Sequence, residues 1–225
     1  MKGLNKKAFG GLLRLFIGLA VLLFLSAWTL DYWQAWIFLA VYSLPLLAGT
    51  LYLMKKDPKL LERRISAGPG SEKQMSQKIL NFLVSKALIV AVVIPATDHR
   101  CAWSGVPLYV VVAGDILVVL GHLIVIFVCK ENTFASAIIE VVNGQKVIAT
   151  GPYALVRHPM YMGWLVTFSG VPLALGSWWG LFTLIPITLA IVWRLLDEET
   201  FLAGNLPGYA EYQNQVRYRL VPFIW

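Results

Sequence analysis

The chain alternates long apolar runs with short polar connections over most of its length. Six runs consist mainly of Leu, Ile, Val, Phe and Ala, and most of them approach the roughly 20 residues that a membrane-spanning helix needs. They occupy Leu12–Leu30, Trp33–Met54, Ile79–Thr97, Pro107–Val128, Met160–Leu175 and Trp178–Leu196. This pattern predicts an all-α fold, a polytopic transmembrane bundle of about six helices. The tight Gly176-Ser177 connection predicts that the last two form a helical hairpin, and the shortness of its first arm leaves open whether it fully spans the bilayer.

Composition supports a lipid environment. Hydrophobic residues make up 58% of the 225 residues and charged residues only 14%, whereas soluble domains average roughly 25% charged residues. A formal net charge of +7 would suggest nucleic-acid binding in a soluble protein. Here the basic residues flank apolar runs, so we expect membrane lipids as their partners and no nucleic acid.

Lys and Arg are distributed unevenly between the two sides of the predicted bundle. The N-terminal tail carries four, the loop at 55–78 carries seven, and the opposite side carries only Arg100. Because basic residues accumulate in cytoplasmic loops, we expect both termini and the two long loops, 55–78 and 130–158, in the cytoplasm. Pro58, Gly68 and Gly70 predict that the loop breaks into short interfacial pieces.

Three ionisable residues lie inside predicted spans, where charge is costly and often functional. Asp115 and His122 are two helical turns apart and share one face of the fourth helix, so we expect both to point into the bundle. Lys86 on the third helix reaches Asp115 if these helices are neighbours. The sequence leaves open whether the three form a structural network or face a lipophilic substrate.

Polar residues crowd the start of the fifth run. His158 precedes Pro159, and a residue before proline disfavours helix, so the helix is predicted to begin near Pro159 at the cytoplasmic side. Its free N–H groups favour an anion, and Arg157 adds positive charge. We expect His158 and Tyr161 to lie close together around the first turn.

A second polar cluster closes the last run, at Arg194, Asp197, Glu198 and Glu199. Arg194 and Glu198 are four residues apart and share a helix face. Three successive acids at the predicted C-terminus of a helix oppose the helix dipole. This conflict indicates a basic neighbour, a cationic ligand or a hydroxyl-rich ligand, and the hairpin would bring Arg157 beside the acids.

Four motifs follow one another in the C-terminal third: Gly151-Pro152-Tyr153, Arg157-His158-Pro159-x-Tyr161-x-Gly163, Arg194-x-x-x-Glu198-Glu199 and Gly208-Tyr209-x-x-Tyr212. Their order and spacing resemble the isoprenylcysteine carboxyl methyltransferase family and its prokaryotic relatives. The resemblance begins near Gln145, and the preceding helices match only as generic spans. We expect a prokaryotic cytoplasmic membrane. The hydropathy pattern places transmembrane helices one to four and the basic loop within residues 1–130, and the resemblance implies a catalytic region, with the hairpin and the tail, over 131–225.

The resemblance implies a cytoplasmic pocket for S-adenosylmethionine and no metal. It assigns cofactor binding to Gln145, Lys146, Val147, Ile148, Tyr153, His158, Pro159, Met160, Tyr161 and Glu198. Arg194 is implied as the catalytic, substrate-binding residue beside a reacting carboxylate. Positions 145 and 146 depart from the His-containing segment that the eukaryotic enzymes favour. The expected reaction is methyl transfer to a lipophilic small molecule or lipidated substrate, with O-methylation of a carboxylate favoured.

Two alternatives remain. Membrane sterol and enone reductases that use NADPH carry a similar Arg-His-Pro-x-Tyr-x-Gly motif, but an acidic residue typically follows its glycine where this chain has Trp164. They also favour a single acidic position, whereas Glu198-Glu199 is doubled. A transporter or an assembly factor is the second alternative. A transporter would show two similar halves or broken helices, and its polar residues would line the membrane centre instead of crowding one end.

Overall fold

The computed structural model describes residues 2–66 and 75–225, and those residues form helices and irregular connections without strands. The helices are α1 (Lys2–Ala27), α2 (Trp33–Lys56), α3 (Pro58–Ser66), α4 (Met75–Cys101), α5 (Leu108–Glu131), α6 (Pro159–Ala174), α7 (Leu184–Asn205) and α8 (Tyr209–Gln215). Two 3-10 turns, Gly151–Ala154 and Trp179–Thr183, precede α6 and α7. The predicted all-α fold is confirmed.

Five helical stretches in the described ranges are long and apolar enough to cross a membrane. They are α1, α2, α4, α5 and the continuous stretch Trp179–Asn205. The other predicted span forms α6, which has 16 residues and is therefore about 24 Å long. That length is less than the roughly 30 Å of a bilayer's hydrocarbon core, which explains why α6 does not qualify by itself.

Three connections meet at one end of the bundle. The Tyr32 hydroxyl, between α1 and α2, donates to the Leu175 carbonyl after α6 at 2.6 Å. Asp98 near the end of α4 accepts hydrogen bonds from the Ser104 backbone N–H at 2.8 Å and from the Ser177 hydroxyl. The α6–α7 connection is thereby fixed to the connections α1–α2 and α4–α5. Despite its length, α6 therefore runs from this end to the opposite one, as a hairpin arm should.

Glycines let α5 and α6 approach closely. An added Cβ at Gly121 would collide with the Thr167 hydroxyl and the Gly163 carbonyl, and one at Gly114 would collide with the Ala174 backbone. Small residues at such contacts permit tight helix packing within membranes. This packing fixes the first turn of α6, where the polar motif lies, relative to α5.

Two sequence expectations change here. The acids after Arg194 do not end their helix, because α7 continues to Asn205; the dipole acts mainly in the last turn, so the expected conflict at the helix end was wrong. The predicted breaking of the 55–78 loop is confirmed in part by α3. Gly68, Gly70 and the remainder of residues 67–74 lie outside the described residues.

The intramembrane ionisable residues do not form the expected pair. Lys86 is exposed, and its ammonium lies over the Phe82 ring of the same helix, 5.2 Å from the centroid. Asp115 is half-buried, and no salt bridge joins it to Lys86 in the described part of the chain. His122 does point inward: it is 2% exposed, and its Nδ1 lies 2.8 Å from the Val118 carbonyl oxygen.

Candidate active site

The segment before α6 runs alongside the C-terminal tail. The backbone N–H of Arg157 donates to the Tyr218 carbonyl and that of His158 to the Arg219 carbonyl, both at 2.9 Å. Pro159, which has no N–H to donate, then occupies the first position of α6. The tail is therefore held beside the Arg-His-Pro motif by main-chain hydrogen bonds, and α6 begins where the sequence predicted.

Glu199 holds three basic side chains together. Its Oε1 accepts a hydrogen bond from Arg157 Nε at 2.6 Å and lies 3.2 Å from His158 Nε2, while its Oε2 accepts from Arg219 Nε at 3.0 Å. Glu199 is 5% and Arg157 7% exposed. Charges so deeply buried are tolerated only when they are paired and hydrogen-bonded. This carboxylate therefore links α7, the start of α6 and the tail.

Arg157 also caps the last helix. Its Nη1 donates to the carbonyls of Gln213, Val216 and Arg217, at 3.4, 2.9 and 3.3 Å. These carbonyls lie at and just beyond the C-terminus of α8, which carries the negative end of its helix dipole. One guanidinium thus fastens α8 to both arms of the hairpin.

Tyr161 bridges the two residues that were predicted to share a face of α7. Its hydroxyl donates to Glu198 Oε2 at 2.6 Å and accepts from Arg194 Nε at 3.0 Å. The arrangement confirms that Arg194 and Glu198 point the same way, towards the first turn of α6. It also fixes the orientation of the Tyr161 hydroxyl, because one lone pair and the proton are both engaged.

Arg194 reaches two further elements. Its Nη1 donates to Gln77 Oε1 at 2.9 Å and to Asn81 Oδ1 at 3.2 Å, and its Nη2 donates to the Ala137 carbonyl at 2.9 Å. Gln77 in turn donates to Asp197 Oδ2 at 2.6 Å. The guanidinium is consequently held between α4, α6, α7 and the irregular segment that follows α5.

That segment, residues 132–150, is anchored around Tyr153. The Tyr153 hydroxyl accepts from Asn132 Nδ2 at 2.9 Å, and its carbonyl accepts from the Tyr212 hydroxyl at 2.7 Å. Burial raises the pKa of Tyr153 above its ordinary value, so the phenol is neutral. Gln145 closes a turn on Val142: its side-chain oxygen accepts from the Val142 N–H, and its own N–H donates to the Val142 carbonyl, both at 3.0 Å.

Helix α3 supports the same segment from the other side. Arg63 donates to the Thr133 carbonyl, and Arg64 Nη1 lies 3.3 Å both from the Ala135 carbonyl and from Met160 Sδ. Two arginines of the basic loop, whose charge favoured contact with lipid headgroups, therefore contact the segment before the hairpin and the first turn of α6.

A cavity of about 400 Å³ lies between these elements, within the range of small-molecule sites. Ten of the predicted site residues line it: Gln145, Lys146, Val147, Ile148, Tyr153, His158, Met160, Tyr161, Arg194 and Glu198. Pro159, the first residue of α6, is buried and does not line the cavity. The sequence therefore predicted a set of residues that does converge, and its members come from four separate segments.

The cavity has a polar and an apolar end. Near α8 its walls include Glu198, Tyr209 and Tyr212, while among the membrane-spanning helices they include Leu88 and Phe168. Residues 191, 194 and 198 follow at helical spacing on one face of α7. Arg194 therefore lies at the boundary between the two ends of the cavity, about one helical turn from apolar Ile191 and about one turn from the carboxylate of Glu198.

Sequence reasoning missed several contributors. Gln77 and Asn81 precede Arg194 by 117 and 113 positions, and nothing in their local sequence marks them. The expectation that Arg157 lies beside the acids is confirmed by its pair with Glu199, but the sequence did not single out Glu199 among the three acids. The depth of its burial follows from tertiary packing and has no local signal.

Comparison with known protein families gives a match over part of the chain. Residues 109–207 match the phospholipid methyltransferase (PEMT) family, from the start of α5 to just beyond α7. No curated protein sequence matches the chain. The matched part contains the Arg-His-Pro motif, Arg194 and both adjacent glutamates, and the helices around it are long and apolar enough to span a membrane. Residues 109–207 therefore resemble the phospholipid methyltransferase family, which belongs to the isoprenylcysteine carboxyl methyltransferase-like membrane methyltransferases, and the long apolar helices support an integral membrane protein.

Proposed function

We propose that the protein transfers a methyl group from S-adenosylmethionine to a lipophilic acceptor. The observation that carries this proposal is a single cavity with two chemically different ends. Its polar end suits a water-soluble cofactor. Its apolar end lies among membrane-spanning helices and suits the tail of an acceptor dissolved in the bilayer, whether a small molecule or a lipidated one.

The residues at the polar end fit this cofactor. Its amino group and ribose hydroxyls can donate to Glu198, and its carboxylate can pair with Lys146 or His158. The lining tyrosines offer flat surfaces and hydroxyls for the remainder of the nucleoside. When bound, the cofactor supplies an electrophilic methyl group on its sulfonium.

Arg194 is the proposed contact to the reacting group of the acceptor. Its guanidinium is held in place by acceptors that include the Tyr161 hydroxyl, the Gln77 side chain and the Ala137 carbonyl, and a carboxylate entering the cavity can add a charged, bidentate partner. Holding nucleophile and methyl donor in line, away from water, accounts for catalysis without a covalent enzyme intermediate. This geometry favours a carboxylate acceptor and therefore O-methylation.

Calorimetric titration of the purified protein tests the cofactor. We expect S-adenosylhomocysteine to bind with micromolar affinity and NADPH not to bind. Binding of NADPH alone would instead support a membrane reductase. Binding of neither would support a transporter or an assembly factor.

The family match suggests a different acceptor, since its name refers to phospholipids. Methylation of a phospholipid amine gives an N-methyl group, which resists mild base, whereas a carboxyl methyl ester releases methanol. Membranes containing the protein are incubated with methyl-labelled S-adenosylmethionine, and the lipid product is treated with base. Volatile label supports the carboxylate acceptor. Label that stays non-volatile after base shows that the methyl group is not on a carboxylate, as expected for a phospholipid amine, and excludes the role of Arg194 given above.

A further inference from the structure

Tyr209 is a buried aromatic residue to which the motif resemblance assigned no cofactor role. It begins α8 directly after Gly208, whose φ of 86° lies in the left-handed region that favours glycine. Tyr209 is 5% exposed and packs with Leu206, Tyr212 and Val147. It also lines the cavity, at the end that contains Glu198.

Its hydroxyl is buried and has no hydrogen-bond partner in the described part of the chain. The neighbouring Tyr212 is equally buried, at 4% exposure, but its hydroxyl donates to the Tyr153 carbonyl at 2.7 Å. A buried phenol hydroxyl without a partner costs free energy, and buried side-chain polar atoms in native proteins are mostly paired. Of these two cavity-lining tyrosines, one is satisfied by the protein and the other is not.

The surroundings of Tyr209 include two predicted cofactor residues, Val147 and Tyr153. Val147 packs against the same cluster, and its Cγ2 lies 3.8 Å from the position of a Cβ built on Gly208. Burial, followed by the nearby carboxylates of Glu199 and Glu198, raises the pKa of Tyr209 above its ordinary value. The phenol therefore keeps its proton and can act as a hydrogen-bond donor.

We propose that Tyr209 is a cofactor-binding residue whose hydroxyl donates a hydrogen bond to an acceptor group of S-adenosylmethionine, such as its carboxylate or a ribose oxygen. The inference rests on the proposed function, since it needs this cofactor in the polar end of the cavity. A site that presents a buried hydrogen-bonding group discriminates strongly for a ligand that satisfies it.

Two matched variants, Tyr209→Phe and Tyr212→Phe, test the proposal. Each removes one hydroxyl from the same helix at the same depth. Binding of S-adenosylhomocysteine is measured by calorimetry on the full-length protein in detergent, and thermal unfolding is measured without ligand. We expect Tyr209→Phe to bind about tenfold more weakly, the loss of one hydrogen bond, with unfolding temperature unchanged or raised. Tyr212→Phe should lower the unfolding temperature, because it leaves the Tyr153 carbonyl without its donor.

The inference fails if Tyr209→Phe binds S-adenosylhomocysteine as tightly as the unmodified protein. It also fails if Tyr209→Phe lowers the ligand-free unfolding temperature as much as Tyr212→Phe does, because the hydroxyl then has a partner within the protein, such as Glu198 or Glu199. Failure of the proposed function looks different: the unmodified protein itself then does not bind the ligand.

Discussion

At the scale of single residues, Glu199 is the charge on which the site's arrangement depends. Two arginines and a histidine surround its carboxylate, and its side chain is only 6% exposed. Removing one partner from such a group leaves the others buried without compensation, which costs more than the pair contributes. Its neighbour Glu198 lines the cavity instead. Glu199 therefore stabilises the arrangement of the site, while Glu198 is available to a ligand.

Replacing Glu199 by Gln should destabilise the protein by about 3 to 5 kcal/mol, because Arg157 loses its buried countercharge. Thermal or denaturant unfolding in detergent measures the effect. Glu211→Gln is the matched control, since Glu211 is exposed on α8 and its loss should change stability by less than about 0.5 kcal/mol. Equal stability of the two variants would mean that the Arg157–Glu199 pair is not buried as described.

Glu198→Gln should weaken cofactor binding and change stability little, the opposite of Glu199→Gln. It keeps the shape of the side chain and a hydrogen-bond acceptor for Tyr161, so folding should change little. Loss of the carboxylate should weaken S-adenosylhomocysteine binding by about ten- to a hundredfold, the range for a hydrogen bond to a charged group. Calorimetry beside the unfolding assay separates the two effects, and unaltered affinity would exclude Glu198 as a cofactor ligand.

The residue types in the motifs were sufficient to predict which side chains converge on the cavity, because motif residues lie on short local segments. Gln77, Asn81 and Tyr209 could not be identified in the same way. The first two come from a helix more than one hundred positions away, and the role of Tyr209 depends on a hydroxyl whose lack of a partner is visible only in three dimensions.

At the scale of elements, the contact between α5 and α6 positions the motif. Periodicity predicted both helices, with ends close to those observed. It could not predict that glycines of α5 lie against the backbone of α6, because glycine is common in membrane helices whether or not it lies at a helix contact. The contacts of the basic loop at 55–78 also could not be predicted from its charge pattern. Its charge indicated headgroups, yet Arg63 and Arg64 of α3 turn towards the site.

Gly121→Ala tests the helix contact. The new methyl group would meet the Thr167 side chain and the backbone of α6, so we expect destabilisation of about 1 to 3 kcal/mol, the usual effect of overpacking. Gly18→Ala on α1 is the control, because a Cβ there meets nothing within 4 Å. It should leave stability unchanged or slightly raise it through helix propensity. Similar unfolding of both variants would contradict the close approach.

At the scale of the whole molecule, the distribution of Lys and Arg predicts which end faces the cytoplasm. The structure places the start of α6 and the end of α7 at one end of the bundle and Arg100 near the other. The positive-inside rule then predicts that the proposed site faces the cytoplasm. Overall topology followed from hydropathy because a bilayer restricts spanning segments to complete helices.

Cys101 offers a direct test of this orientation. It is exposed at the end of α4 beside Arg100, while Cys129 is buried. We expect a membrane-impermeant maleimide to label Cys101 in intact cells and to leave Cys101→Ser unlabelled. Labelling that appears only after the membrane is permeabilised would invert the orientation and place the proposed site outside the cytoplasm.

The two ends of the cavity have a kinetic consequence. For the proposed reaction, the cofactor reaches the polar end from solution, so its effective concentration is an ordinary molarity. The acceptor reaches the apolar end by lateral diffusion, and its effective concentration is a mole fraction in the bilayer. Adding inert phospholipid at constant acceptor should therefore slow turnover by surface dilution while leaving the cofactor's Kd unchanged. For such an enzyme, the composition of the membrane acts as a determinant of rate.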